Sequence, residues 1–291
     1  MAIRKILCPI DFSEGSLHAL RAATTLAAAR DAELVILHVV AVPAVAYTSE
    51  LVISGLAHEE LLAAARPPLA TAASDARAAG ASRVTSRLET GPAAEVILEA
   101  LADPSFDLCV IGTTGRTGLA RILLGSIAEK IVRRAPCTTL SVPLGGTFAL
   151  PAHVLCPVDF SPSSAHASEL ATDLVRPGGA ITLLHVLELP AHYGGELPDE
   201  AAVHALAPHA ACHLDDWAAR LRPRCQDLRI HARVGNPGGQ ILGALDHDHS
   251  VDLLCIGSHG HTGVRRLLLG SLAEKIVRHA RCPVLVARAR I

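Results

Sequence analysis

Two patterns in the chain, each present twice, carry residue types able to handle a ligand. The first is Pro9-Ile10-Asp11-Phe12-Ser13, which returns as Pro157-Val158-Asp159-Phe160-Ser161. A carboxylate just past an apolar run can accept hydrogen bonds from a ribose hydroxyl or hold a metal near phosphates. It can equally serve a local turn or helix cap. The second pattern is Gly112-x2-Gly115-x9-Gly125-Ser126, which returns as Gly257-x2-Gly260-x9-Gly270-Ser271. Gly112 ends a strand pattern and would let a ligand approach the backbone closely. Gly115 permits a tight turn that exposes its N–H. Gly125-Ser126 opens a helix, where free N–H groups and the dipole favour an anion. Phosphate oxygens suit such a place, with the Ser hydroxyl as an added donor. The spacing is neither the Walker form nor G-x-G-x-x-G, and no Lys follows Gly125 or Gly270.

A purely structural reading stands beside this one. Ser126-Ile127-Ala128-Glu129 and Ser271-Leu272-Ala273-Glu274 have the form of capping boxes, with Ser126 and Ser271 as N-caps. A helix needs a cap whether or not it binds anything. Three glycines at matched spacing in both copies are not explained by capping. Ser13 and Ser161 also read as N-caps, and Pro162 suits a first helical position.

The elements that must position these residues are themselves duplicated. Ile6–Ser13 and Val154–Ser161 share six of eight residues at an offset of 148, and Ile111–Cys137 and Ile256–Cys282 share 18 of 27 at 145. His38-Val39 matches His185-Val186 at 147. Such a period is too long for a solenoid and implies a duplicated domain. The 291 residues suit two domains, expected over 1–145 and 150–291, joined by a Gly/Pro-bounded linker. Strand patterns in the first copy cover Arg4–Ile10, Glu33–Val40, Arg83–Glu89, Asp107–Gly112 and Cys137–Val142. Helix patterns cover Gly15–Arg30, Glu50–Ala79, Pro92–Leu101 and Gly125–Ala135, with Pro67-Pro68 expected to bend or split the second. The second copy repeats the order, with strands near His153–Val158, Ala180–Leu187, Leu228–Val234, Asp252–Gly257 and Pro283–Ala287. Continuous apolar strands alternating with helices predict an α/β fold: two tandem doubly wound, parallel five-stranded sheets. Ligands of such sheets bind beyond the carboxyl ends of the strands, where strand order switches.

The L-C-P-(I/V)-D-F-S start and the G-x2-G-x9-G-S pattern running into A-E-K-I-V-R resemble the universal stress protein family of the ATP-binding type. The resemblance covers both halves, as in a tandem two-domain member. It implies strand order 3-2-1-4-5, so that Asp11 faces Gly112 across one crevice and Asp159 faces Gly257 across another. It implies an adenine nucleotide, ATP or a relative, with Mg²⁺ accompanying it. By motif position, Pro9, Asp11 and the backbone of Val39 line the base and ribose side. Gly112 lies near the ribose, and Gly115, Gly125 and Ser126 at the phosphates. The matches in the second copy are Pro157, Asp159, Val186, Gly257, Gly260, Gly270 and Ser271. The copies differ within the loop, where Thr113-Thr114 and Arg116 become Ser258-His259 and His261, so unequal affinities are expected. Arg121 and Arg266 are candidate phosphate-side charges or solvated helix-edge residues. The resemblance also implies an intramolecular pseudo-dimer through the fifth strands, Thr138–Val142 and Pro283–Ala287. Association of two chains into a homodimer stays open.

Composition excludes other classes. The net charge is −2, with only four Phe, two Tyr and one Trp, so neither a basic surface nor a stacking platform for nucleic acid is expected. The longest apolar stretch, Leu34–Val42, is interrupted by His38 and stopped by Pro43, far short of the about 20 residues of a membrane span. A cytoplasmic protein is expected. Eight Cys without a C-x-x-C pair read as reduced core residues, four of them (Cys8, Cys109, Cys156, Cys255) in strand patterns. Most of the 16 His lie in the second half; His209 and His213 have i, i+4 ligand spacing, and His247-Asp248-His249 suits a helix end. Solvated His is the preferred reading of both. His38 and His185 read as packing or backbone-bonded residues. Phosphoryl transfer needs a positioned nucleophile and charge neutralisation, and no such constellation appears. A nucleotide-dependent sensor of stress is therefore the leading reading. A slow ATP hydrolase or phosphotransfer enzyme is the alternative, and a metal-binding stress protein a third.

Overall fold

The computed structural model describes residues 3–41, 51–113, 124–145, 148–188, 213–260 and 269–288, with the backbone alone for 51–57. The chain folds into two compact units that meet in sequence between Ala149 and Leu150.

The first unit runs β1 (Lys5–Ile10), α1 (Glu14–Arg30), β2 (Glu33–Val40), α2 (Leu51–Ala78), β3 (Arg83–Thr90), α3 (Ala93–Leu101), β4 (Leu108–Gly112), α4 (Ser126–Arg134) and β5 (Thr138–Val142). Its strands lie in the order β3-β2-β1-β4-β5, all parallel. The second runs β6 (His153–Pro157), α5 (Pro162–Leu174), β7 (Ala180–Leu187), α6 (residues 213–221), β8 (Asp227–Val234), α7 (Pro237–His247), β9 (Leu253–Gly257), α8 (Ser271–His279) and β10 (Val284–Ala287). Its order is β8-β7-β6-β9-β10, again parallel. Each is the doubly wound α/β sheet that the apolar runs require. The first and fourth strands of each copy are buried almost throughout, because helices cover both faces. The edge strand β3 exposes Arg83 and Arg87 and is polar along much of its length.

Small residues let helices sit close to these sheets. Ala19, Ala22, Ala23 and Ala27 form the buried face of α1. Seven described cysteines are free and buried, and burial in apolar surroundings pushes Cys156 and Cys282 up to about 12. Cys8, Cys109 and Cys255 are raised by the same desolvation. Among the described residues, no helix is long and apolar enough to cross a membrane.

One expectation fails here. Pro67-Pro68 neither splits nor ends α2, which continues from Leu51 to Ala78. The two prolines are exposed, while Ala65, Leu69, Ala72, Ala73 and Ala76 are buried. Packing of that apolar side holds the turn in place although two N–H donors are missing. Replacing both prolines with Ala restores the donors and removes the ring clashes. The thermal midpoint of the first unit should rise, by a stabilisation of about 1–3 kcal/mol. A calorimetric midpoint that stays or falls would contradict this account.

Candidate functional site

In each unit the first and fourth strands are parallel neighbours, with Ile6 opposite Leu108 and Val154 opposite Leu253. The chain leaves the two strands for different helices, so a crevice opens beyond their carboxyl ends. In the first unit it is a cavity of about 660 Å³ that brings together Pro9, Asp11, Val39, Gly112, Gly125 and Ser126. In the second it is a cavity of about 590 Å³ lined by Pro157, Asp159, Val186, Gly257, Gly260, Gly270 and Ser271. Asp11 thus shares a crevice with Gly112, and Asp159 with Gly257. Gly115, Thr114, Arg116, Arg121, His261 and Arg266 lie outside the described residues.

The aspartates are built into the entry of the first helix of each unit. Asp11 Oδ1 accepts from the Ser13 N–H at 3.0 Å and from its hydroxyl at 2.5 Å. Ser13 Oγ in turn accepts from the Ser16 N–H at 3.2 Å, and caps α1. The second copy repeats this: Asp159 Oδ1 accepts from the Ser161 N–H at 3.0 Å, and Ser161 caps α5 with Pro162 in the first turn. The other oxygen of Asp159 faces the glycine loop, since a Cβ on Gly260 would stand 2.7 Å from Oδ2. One carboxylate therefore performs the local turn role and also reaches the crevice.

Between Asp and Ser stands a feature the residue types do not announce. Phe12 and Phe160 adopt left-handed backbone conformations, with φ of 62° and 63°. A bulky residue there costs on the order of 1–3 kcal/mol and must be held by its surroundings. The Phe12 ring packs on His38 with centroids 4.4 Å apart, and Phe160 on His185 at 4.6 Å. Each imidazole donates from Nδ1 to a backbone carbonyl at the end of the first strand, Ile10 at 2.8 Å and Val158 at 2.7 Å. These histidines are positioning groups that lock the strained turn carrying the aspartate. The recurrence of Phe and His in both copies was the available signal.

One sequence reading is corrected. Ser126 and Ser271 are not N-caps. The cap positions of α4 and α8 fall on Gly125 and Gly270, one residue earlier than the pattern implies, and no side chain caps either helix. The N–H of Glu129 bonds to Gly125 O at 2.8 Å, so the box serine falls at the first helical position instead. The N–H groups of Gly125 and Gly270 are themselves used, by Thr113 O at 2.7 Å and Ser258 O at 2.8 Å. What the crevices meet is the uncapped first turn that follows. Gly112 and Gly257, which line the crevices, also have a packing role. A Cβ on Gly112 would stand 2.6 Å from Gly15 O, and one on Gly257 2.8 Å from the Ser163 carbonyl carbon.

The crevices differ in their outer walls. The first is walled by α2 through Leu61, Ala64, Ala65 and Pro68. The second carries Ser258, His259, Asn236 and Lys275. His259 Nδ1 lies 3.0 Å from Ser258 Oγ, while Nε2 is buried without a hydrogen-bond partner. Burial, then the Arg288 charge, push its pKa down. Of the other histidines, His213 packs beside Phe160 with centroids 5.7 Å apart, and His247 ends α7 with Asp248 as C-cap. His209 lies outside the described residues. Among the described residues no three His, Cys, Asp or Glu side chains cluster as a metal site.

Fold and site together define a tandem doubly wound α/β protein with a crevice at each switch point. The universal stress protein family model matches residues 2–143 and 152–288, and the chain belongs to that family. A universal stress protein of Mycobacterium tuberculosis is 31% identical over 195 residues, covering 62% of each chain. The chain thus matches less than two thirds of that relative's length. One of Methanocaldococcus jannaschii is 39% identical over 143 residues, 48% of this chain and 81% of that one. The fold of the whole chain is similar to the crystal structure of a universal stress protein from Archaeoglobus fulgidus, with a TM-score of 0.71, 22% identity and complete coverage of both chains.

If Gly112 and Gly257 serve packing, their substitution must act without any ligand. Gly112→Ala and Gly257→Ala should each lower the thermal midpoint of the unit concerned in nucleotide-free buffer. The expected destabilisation is about 1–3 kcal/mol. Unchanged unfolding curves would return these glycines to a ligand role.

Proposed function

We propose that each crevice binds an adenine nucleotide and that the protein reports its binding through conformation or partner choice. One observation carries this reading. In both units a strand-tip aspartate shares the crevice with a helix whose first turn no side chain caps. Of the other helices entered beside these crevices, α1, α5 and α7 are capped by Ser13, Ser161 and Asn236, while α3, which follows Pro92, has no side-chain cap. An uncapped first turn presents N–H donors and a positive dipole end, the chemistry that phosphate oxygens satisfy. A carboxylate on the opposite side suits ribose hydroxyls. Pro9 and Val39, with Pro157 and Val186, supply the apolar side for a base. Cavities of about 660 and 590 Å³ fall in the range of small-molecule sites.

Mg²⁺ would be held mainly by the nucleotide's own phosphates, as is common for that ion, with Asp11 or Asp159 contributing one carboxylate. The glycine pattern lacks the Walker lysine, which favours binding over turnover. Stress sensing and regulation would then follow from whichever conformation the bound nucleotide stabilises.

Native mass spectrometry of the full chain, before and after addition of ATP and Mg²⁺, tests the proposal. Two nucleotides per chain are expected. Asp11→Asn and Asp159→Asn should each weaken one of the two by about tenfold, the effect of one hydrogen bond to a charged group. A chain that takes up no nucleotide under either condition would overturn the reading.

A further inference from the structure

The α4 and α8 helices carry the same lysine, Lys130 and Lys275, at the fifth position of a shared S-(I/L)-A-E-K start. Their surroundings differ. Lys130 Nζ lies 3.7 Å from Oε1 of Glu95, the third residue of the neighbouring α3. It does not line the first cavity. The third residue of α7 is Gly239, so the carboxylate is missing in the second unit. The residue before it is Gly238, where the first unit has Ala94. Lys275 lies along the space this glycine leaves open. A Cβ on Gly238 would stand 3.2 Å from its Cδ and 3.3 Å from its Nζ. Lys275 has no carboxylate within ion-pair distance among the described residues, and it lines the second cavity together with Gly238 and Ser271.

Two changes on one helix therefore release a lysine that its counterpart keeps paired. The released ammonium stands beside the first turn of α7, on a cavity that the first turn of α8 also lines, and the dipoles of both helices favour an anion there. The acidic residues of this cavity belong to other walls: Asp159 follows β6 and Glu188 follows β7. We infer that Lys275 makes the second crevice selective for the more highly phosphorylated nucleotide, while Glu95 withholds the equivalent lysine from the first. The two crevices then divide ligands by charge, with a triphosphate preferred in the second and discrimination weaker in the first. This deepens the nucleotide-binding reading and rests on it.

The test compares ATP with AMP by isothermal titration of the full chain, of four single variants and of one double variant. Lys275→Met should lower ATP affinity at one site by about three- to tenfold, between a surface ion pair and a charge-assisted hydrogen bond, and AMP affinity by much less. Lys130→Met should change neither. Gly239→Glu rebuilds the pairing carboxylate, and its Cβ meets nothing nearer than Asn236 Oδ1 at 3.7 Å. It should reproduce the Lys275→Met phenotype and add nothing in the double variant. Glu95→Gln should free Lys130 and raise the ATP-to-AMP preference at the other site. If ATP binds wild type but Lys275→Met and Lys130→Met behave alike, the inference fails and nucleotide binding stands. If neither ATP nor AMP binds wild type, both fall together.

Discussion

Each unit is organised around an approach of backbone to backbone: the last residue of the fourth strand against the first turn of the first helix. Gly112 meets Gly15 there, and Gly257 meets Ser163 and Ser164, at distances that leave no room for a Cβ. The contact fixes how far the first helix lies from the sheet's switch point. The Ser cap of that helix, and the Asp hydrogen-bonded to it, are placed by the same approach. So is the left-handed Phe between them, which the stacked and hydrogen-bonded His holds. Site geometry in this fold is thus a by-product of sheet–helix packing. A residue that looks ligand-facing from its position can owe its identity to the core.

Much of the architecture was legible because the chain states it twice. Apolar runs long enough for buried strands, separated by helix-length segments, predict parallel sheets, and the duplicated motifs mark both crevices. The errors were local and share a cause. Ser126-x-x-Glu129 satisfies the capping-box pattern, but the preceding glycine takes the cap position, and a one-residue shift is invisible to pattern matching. Pro67-Pro68 are strong helix breakers in isolation, yet their turn is exposed and the buried alanines and leucine beside them decide the outcome. Phe12 could not be foreseen as left-handed, because nothing in a phenylalanine favours that conformation; only its repetition beside His38 hinted at a constraint.

Duplication with divergence also shows which residues the fold demands and which it leaves free. The Asp–Ser backbone bond, the serine cap, the Phe–His stacking and the close approach of the strand-end glycine recur in both copies, while the Ser13 hydroxyl donates to Asp11 and the Ser161 hydroxyl to the His259 carbonyl. The third residue of the helix beside the crevice differs, being Glu95 in one and Gly239 in the other. Neither choice disturbs the sheet. Changes of this kind alter the electrostatics of a crevice at almost no cost to folding, since the helix surface there is exposed in both units.

The buried cysteines have a chemical consequence of their own. A thiol whose ionisation is suppressed by burial offers almost no thiolate, and the thiolate is what peroxides and electrophiles attack. Cys8 and Cys109 sit in the first sheet, Cys156 and Cys255 in the second, so each unit carries its own set of silent sulfhydryls. They stay silent only while the strands around them stay closed. Alkylation of a given cysteine is then a clock for the opening of the unit that contains it, and the two units can be timed separately within one molecule.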